Sequence, residues 1–360
     1  MSDRRQKLRR QLKQEGLDAL LVTNFKNVTY LTGFTGDDSY LLVGKDGDVL
    51  ISDQRYTTQL EEECPGLELA IRGPGSKMLE WTAKVLEKSK ATRVGIEGES
   101  MTVGVRDALA AALAKMELAP TAGWVEDLRI IKDKDEIDRT RRACEQARRA
   151  FEVVRAKLTP EMTESQVAAE LEYQARQFGA KGLSFEAIVA VGPRAALPHA
   201  RPTTRRIGED DFTLIDWGVN EGLYMSDLTR LVPTAKISPK LRKLYGVVLN
   251  AQLAGIEAIR PGVTCEEVDR AARSVIEKAG YGKQFGHGLG HGVGLEIHEA
   301  PRLAQGQTTE LKPGMIVTVE PGIYFPGWGG IRIEDDILVT RSGHEVLTSV
   351  PKDLDECLVA

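Results

Sequence analysis

Two stretches 101 residues apart read alike: LTPEMTESQV from Leu158 to Val167, and IRPGVTCEEV from Ile259 to Val268. Each has a proline in a connection, then a threonine followed three residues on by Gln166 or Glu267, the capping-box start of a helix. Each helical pattern then ends near a glycine, Gly179 or Gly280. The match continues into strand-like runs, where TLIDWG (Thr213 to Gly218) answers VTVEPG (Val317 to Gly322). Asp216 thereby answers Glu320, and Asp227 answers Glu334. A chain repeated in this way is expected to fold as two matching halves. A site on the pseudo-twofold axis between them would receive one carboxylate pair from each.

Ahead of the repeat lies a different pattern. A helix near Asp3 to Glu15 precedes an apolar strand from Asp18 to Asn24, and Tyr40 to Ser52 reads as two strands around a Lys-Asp-Gly turn. Helical patterns at Arg55–Glu63 and Ser76–Lys88, a strand at Arg93–Glu97 and an Ala-rich helix near Val105–Met116 complete an α/β domain without a chemical motif. Gly73-Pro74-Gly75-Ser76 lacks the Gly-Lys ending of a phosphate loop and reads as a turn. Trp124 to Asp135 marks the boundary, giving domains of residues 1–130 and 131–360. The second is an α+β domain opened by a helix from about Lys134 to Leu158.

The charge of -5 argues against nucleic acid or an anionic membrane as the partner. The basic run Arg4 to Lys13 reads as the solvated face of the first helix, with Leu8 and Leu12 pointing inward. No signal peptide or membrane-spanning run is visible, and Cys64, Cys144, Cys265 and Cys357 are scattered without a CxxC pair. A cytoplasmic protein with reduced thiols is expected.

The acids sit in apolar company. With Glu221-Gly222 as a two-residue hairpin turn, Asp216 faces Asp227 across the ladder. With a loop centred on Gly327, Glu320 faces Glu334. Like charges opposed on a buried ladder cost free energy unless a cation lies between them. His287, His291 and His298 follow within twelve residues, and Gly286, Gly288, Gly290, Gly292 and Gly294 exclude a helical HxxxH site there. Extended backbone is expected instead. The GxGxxG-like text has no helix after it, so dinucleotide binding is rejected. Four carboxylates and an imidazole make an oxygen-rich dinuclear site that suits Mn²⁺ or Co²⁺ better than a thiolate zinc site. Two such ions can generate a bridging hydroxide and polarise a carbonyl, the machinery of hydrolysis.

The set IDWG…SDLTR, GHGLGHGVGLEIHE, VEPGIY and GGIRIEDD closely resembles the pita-bread metallopeptidases, in their aminopeptidase P and prolidase branch. YLTGFTG (Tyr30 to Gly36) and ISDQRYTTQ (Ile51 to Gln59) resemble the creatinase/prolidase N-terminal domain, so the likeness covers nearly the whole chain. The resemblance implies Asp216, Asp227, His291, Glu320 and Glu334 as ligands of two divalent ions, Mn²⁺ first with Co²⁺ or Zn²⁺ as alternatives. It implies that Asp227 and Glu334 bridge the ions and that Glu320 also shuttles a proton to the leaving amine. His298 resembles the histidine that stabilises the tetrahedral intermediate, and His287 and His199 resemble substrate-side histidines. Arg332 resembles the arginine that holds the carboxylate network, while His344 fits no site motif and reads as surface.

The resemblance implies proline-containing peptides as substrates and a homodimer as the assembly. Tyr224, Ile323, Tyr324 and the His298 region are candidate walls for the proline ring, and Trp217 is placed to reshape the site floor. The first expectation is an Xaa-Pro aminopeptidase. The alternative is an Xaa-Pro dipeptidase, which needs a basic group for the substrate carboxylate, with Arg194, Arg201 and Arg205 as candidates. A non-hydrolytic relative of the creatinase type is a third reading, and five intact ligand positions count against it.

Overall fold

The structure, a computed structural model, describes residues 2–234 and 237–358. The chain divides into two compact units, Met1–Arg129 and Ile130–Ala360.

In the first unit, α1 (Ser2–Glu15), β1 (Ala19–Val22) and α2 (Phe25–Thr32) lead into a hairpin of β2 (Ser39–Gly44) and β3 (Asp48–Asp53). Then follow α3 (Thr57–Glu63), β4 (Glu68–Arg72), α4 (Met78–Ser89), β5 (Arg93–Glu97), α5 (Val103–Ala112), β6 (Glu117–Thr121) and α6 (Glu126–Arg129). The six strands make one mixed sheet in the order β4-β3-β2-β1-β5-β6. Leu8 and Leu12 are fully buried, as the spacing predicts. The arginines of α1 are not simply solvated, however. Arg5 donates to Asp48 at 2.6 Å and to the Leu31 carbonyl, and Arg9 donates to the Gly44 carbonyl. The helix is thus fastened to the β2–β3 hairpin and to α2 through its basic face. The 3.6-residue pattern places that face but not its partners.

The second unit is built on the repeat. Here α7 (Lys134–Lys157) packs against α8 (Glu164–Gln177), and α9 (Pro239–Ala258) packs against α10 (Cys265–Lys278). Thr163 with Gln166, and Thr264 with Glu267, form the two capping boxes. Both cap threonines also make one isolated β-bridge, Thr163 to Arg206 and Thr264 to Glu310. Both helices close beside a left-handed glycine, Gly179 at φ 96° and Gly280 at φ 88°.

After β7 (Gly182–Leu183), strands β8 (Ile188–Val191), β9 (Phe212–Trp217), β10 (Val219–Glu221), β11 (Tyr224–Met225) and β12 (Leu228–Pro233) serve the first half. In the second half come β13 (Gly290–Gly292), β14 (Glu299–Leu303), β15 (Ile316–Val319), β16 (Gly322–Phe325), β17 (Gly329–Arg332), β18 (Asp335–Val339) and β19 (His344–Val346). The sheets run β12-β9-β8 and β14-β13-β15-β18-β19, with β16-β17 as a separate two-stranded ladder. One core joins α7 and α8 to Val189, Ile215, Trp217 and Leu228. The other joins α9 and α10 to Leu214, Leu231, Val317 and Ile331.

The first hairpin differs from the expected register. Its turn is Gly222-Leu223, with φ of 56° and 77°, so Asp216 pairs with Thr229 rather than Asp227. A leucine at positive φ carries no turn signal, which hides this register from pattern reading. The slip is two residues, an even number, so Asp227 keeps its face of the sheet. The second hairpin follows the expected register throughout, from Ile316↔Leu338 to Phe325↔Gly329.

Among the described residues no helix is long and apolar enough to cross a membrane. The four cysteines are buried and unpaired. His344 is half-buried rather than surface, with Nδ1 3.1 Å from the Ile259 carbonyl.

Candidate active site

The metal-ligand candidates converge in the second unit. Asp227, His291 and Glu334 each offer a ligand atom, and these atoms lie within 4.8 Å of one another. His291 Nε2 is 3.7 Å from Asp227 Oδ2 and 3.3 Å from Glu320 Oε1. Asp216 joins the group through Arg332, which donates to its Oδ2, while its buried Oδ1 has no partner among the described residues.

The backbone explains how these groups reach one another. β13 threads between β14 and β15, and a Cβ on Gly290 would lie 2.0 Å from the Thr318 carbonyl oxygen. One on Gly292 would lie 2.3 Å from the Ala300 carbonyl oxygen. Only glycine permits that approach, and it sets His291 against the β15 end that carries Glu320. His291 Nδ1 lies 3.0 Å from the Gly292 carbonyl, which can only accept, so the proton sits on Nδ1 and the Nε2 lone pair faces the carboxylates. Burial pushes the His291 pKa down to about 4, which keeps the ring neutral.

The electrostatics ask for a cation. Burial raises Asp227 and Glu334 well above the ordinary carboxylate range, and repulsion from neighbouring acids adds to it. Burial likewise raises Asp216, against the pull of Arg332, and lifts Glu320 to about 7. An imidazole lone pair facing a carboxylate oxygen, an orphaned Asp216 oxygen and clustered acids are what divalent ions would satisfy. The donor set therefore fits them.

Arg332 holds this array together. It donates through Nε to Thr229 Oγ1 at 3.1 Å, through Nη1 to Tyr324 Oη at 2.9 Å, and through Nη2 to Asp216. Thr229 Oγ1 in turn donates to Glu334 Oε2 at 2.6 Å. His287 Nδ1 faces the Gly288 carbonyl at 2.8 Å, so its Nε2 accepts from the Tyr324 hydroxyl at 3.0 Å. Burial drives the His287 pKa down to about 4. His298 is exposed, with its ring centre 4.4 Å from that of His291. His199 lies on an exposed loop, within electrostatic reach of Asp216, His287 and His298.

Residues 138–341 match metallopeptidase family M24, and residues 4–131 match the Creatinase/Prolidase N-terminal domain. This chain belongs to the M24 metallopeptidases. The M24 chain is 37% identical over 355 residues to a protein named Xaa-Pro dipeptidase in Pyrococcus furiosus, covering 98% of this chain and 100% of that one. Among solved structures, one described as an Xaa-Pro dipeptidase from Bacillus anthracis superposes with a TM-score of 0.94 at 40% identity, covering 98% of this chain and 99% of that one. One described as an X-Pro aminopeptidase from Thermotoga maritima gives 0.87 at 34% identity, covering 94% and 97%. The fold is a creatinase-type N-terminal domain followed in sequence by the pita-bread catalytic domain, and the family depends on divalent metal.

Several expectations for the M24 site need correction. Trp217 does not floor it, because the ring is fully buried and stacks on Phe151 at 4.3 Å in the α7–α8 core. Ile323 is core, and Tyr224 is buried with its hydroxyl donating to Glu136, so neither is free to wall a ring pocket. Tyr324 bridges His287 and Arg332 by its hydroxyl instead. Arg194 is committed to buried Glu164, and Arg205 lies 3.3 Å from Glu209. Arg201 is exposed, 3.7 Å from Glu186.

Sequence reasoning passed over Arg302. It pairs with His291 across β13–β14, and its charge acts on both His291 and His298. Arg302 is exposed and has no hydrogen-bond or ion-pair partner among the described residues. The signal was a cation four residues beyond His298 on a strand-like run.

Proposed function

We propose that this chain is an Xaa-Pro dipeptidase using two divalent ions, Mn²⁺ being the first choice. Arg302 carries the reading. Directly opposed residues of an antiparallel pair project to one face, so the guanidinium shares the face of His291. An unpaired guanidinium there suits a substrate whose carboxylate follows directly on proline, since Arg binds carboxylates bidentately. The name of the Pyrococcus furiosus relative and the description of the Bacillus anthracis structure support the same choice over the aminopeptidase first expected.

In this reading Asp216, Asp227, His291, Glu320 and Glu334 would hold the ions. The ions supply water activation and carbonyl polarisation when bound. Glu320 Oε1 carries a proton from the attacking water to the proline nitrogen, which has no hydrogen of its own to lose or donate. His298 donates a hydrogen bond to the developing oxyanion. His287, fixed by Gly288 and Tyr324, and His199 line the substrate side. Arg332 keeps Asp216 and Glu334 in register through its direct bond and through Thr229.

The likeness to the Thermotoga maritima structure keeps an X-Pro aminopeptidase as the second reading. Metal-stripped protein restored with Mn²⁺ and offered Leu-Pro, Leu-Pro-Gly and Leu-Pro amide separates the two. Hydrolysis confined to Leu-Pro is expected. Comparable kcat/KM on the tripeptide would make the chain an aminopeptidase.

A further inference from the structure

The segment Phe285–Leu289 (FGHGL) carries His287 and leads directly to His291, yet it lies outside any strand. Its shape is set from outside, by two charged residues one turn apart on α10. Asp269 is fully buried, and Arg273 forks onto it, with Nε to Oδ2 at 2.7 Å and Nη2 to Oδ1 at 2.8 Å. Two further donors of Arg273 go to backbone: Nη1 to the Phe285 carbonyl at 3.1 Å and Nη2 to the His287 carbonyl at 2.7 Å. The guanidinium also lies 4.1 Å from the centre of the Phe285 ring. Asp269 Oδ1 accepts from the Leu289 N–H at 3.1 Å, and the Leu289 carbonyl accepts from the N–H of Glu320 at 2.8 Å.

We infer that Asp269 and Arg273 are positioning residues that set His287, His291 and Glu320 relative to one another. The inference rests on the site reading above and extends it to a pair that touches neither metal nor substrate. A buried ion pair is a weak source of stability, because its attraction has to offset the desolvation of both charges. What it supplies is geometry. A planar fork with five N–H groups fixes two carbonyls and a carboxylate at once, and no apolar or ammonium side chain can do so. Glycines on both sides of His287 leave that backbone wide conformational freedom, so its path is set by these bonds together with the Leu289 N–H to the Leu303 carbonyl at 2.7 Å and the contact of the His287 ring with Tyr324.

The other half of the repeat uses a comparable device. Glu164 on α8 is fully buried and accepts from the N–H groups of Val191 and Thr203 and from Thr203 Oγ1. Arg194 donates to the same carboxylate at 3.0 Å and to the Arg201 carbonyl at 2.5 Å. The loop that carries His199 is thereby pinned at both ends. In each half, a carboxylate on the second helix and an arginine fasten a histidine-bearing segment.

The test uses the full chain with Asp269→Leu/Arg273→Met as an apolar replacement of the pair, and Arg273→Lys as a charge-conserving one. Each is assayed for thermal stability, for affinity for Mn²⁺ alone, and for kcat and KM on Leu-Pro at saturating Mn²⁺, beside His291→Ala. The double variant is expected to fold with one cooperative thermal transition, lowered by no more than the unpaired Phe285 and His287 carbonyls account for, and yet to lose about 10- to 100-fold in Mn²⁺ affinity or kcat. Arg273→Lys is expected to fold and to lose at least about 10-fold in kcat, since an ammonium cannot span both carbonyls. A purely structural pair would show a fall in melting temperature with both Mn²⁺ affinity and kcat intact, and that result would overturn the inference. If His291→Ala is inactive while Arg273→Lys matches wild type in both Mn²⁺ affinity and kcat, the inference is wrong and the site stands. An active His291→Ala variant would overturn the site reading, and the inference with it.

Discussion

Glu320 and Glu334 stand opposite each other at the seam between two β ladders. On one side Val319 pairs with Asp335, on the other Gly322 pairs with Arg332, and the register is the same in both. Neither glutamate belongs to a strand, so both side chains sit where the ladder opens. Glu334 is steadied by the Thr229 hydroxyl, and Glu320 faces the lone pair of His291. Opposed carboxylates in a buried seam destabilise the metal-free fold, and the binding of cations relieves that cost. The backbone register of the second half thus brings together two of the carboxylates of the proposed metal centre.

Tyr324 connects the histidine segment to the carboxylate network through one oxygen. Tyr324→Phe would leave buried donors and acceptors of Arg332 and His287 without a partner, at a cost of about 1–3 kcal/mol. The expected outcome is a fall of about 10- to 100-fold in kcat on Leu-Pro with the metal content unchanged. Steady-state kinetics beside metal analysis check it, and a loss of metal with normal kcat per bound ion would contradict it.

Arg302 is expected to act on the substrate carboxylate and not on the bond being cut. Arg302→Met should raise KM for Leu-Pro about 10- to 100-fold, the worth of a charge-assisted hydrogen bond, with a smaller change in kcat. Any residual turnover of Leu-Pro amide should not change, because that substrate has no carboxylate to lose. Equal losses on both substrates would remove Arg302 from substrate recognition.

Asp18 gives the N-terminal unit a pH-dependent contribution. Its carboxylate accepts from Lys45 Nζ at 2.7 Å, from the Thr92 N–H and hydroxyl, and from the Arg93 N–H. Lys45 first, and then these backbone donors, hold its pKa well below the usual carboxylate range. A depressed folded pKa contributes stability above the unfolded value of about 3.9, and that stability is lost as pH falls toward the folded one. Asp18→Asn should lower the thermal transition of this unit by about 2–4 °C at pH 7 for each kcal/mol lost, and the gap should narrow progressively as pH falls below about 5 toward the folded pKa. Calorimetry across that range checks it, and a gap independent of pH would assign the effect to packing.

The repeat and the second hairpin were legible because both rest on short-range signals. Capping boxes mark Thr163 and Thr264, and a loop around Gly327 sets the register of Glu320 against Glu334. The first hairpin was not legible, because Leu223 adopts positive φ without any residue type to announce it. Parity rescued the site, since a shift of two residues leaves Asp227 on its face. Side-chain direction was the other blind spot. Alternation along β9 turns Trp217 into the α7–α8 core once Asp216 faces the site, and β14 brings Arg302 opposite His291 through a pairing that no local pattern encodes. The polar links of Tyr324, Thr229 and Asp269 depend on contacts between residues 8 to 105 positions apart, a separation at which periodicity carries no information.

The most direct test strips the protein of metal and titrates Mn²⁺ back, following bound ions per chain together with Leu-Pro hydrolysis, for wild type beside Asp227→Ala and Glu334→Ala. Wild type is expected to bind two ions and to regain activity with them. Each variant is expected to lose at least one ion and nearly all turnover. Full hydrolysis by the stripped protein, or two ions and normal turnover in either variant, would contradict the metal centre described here.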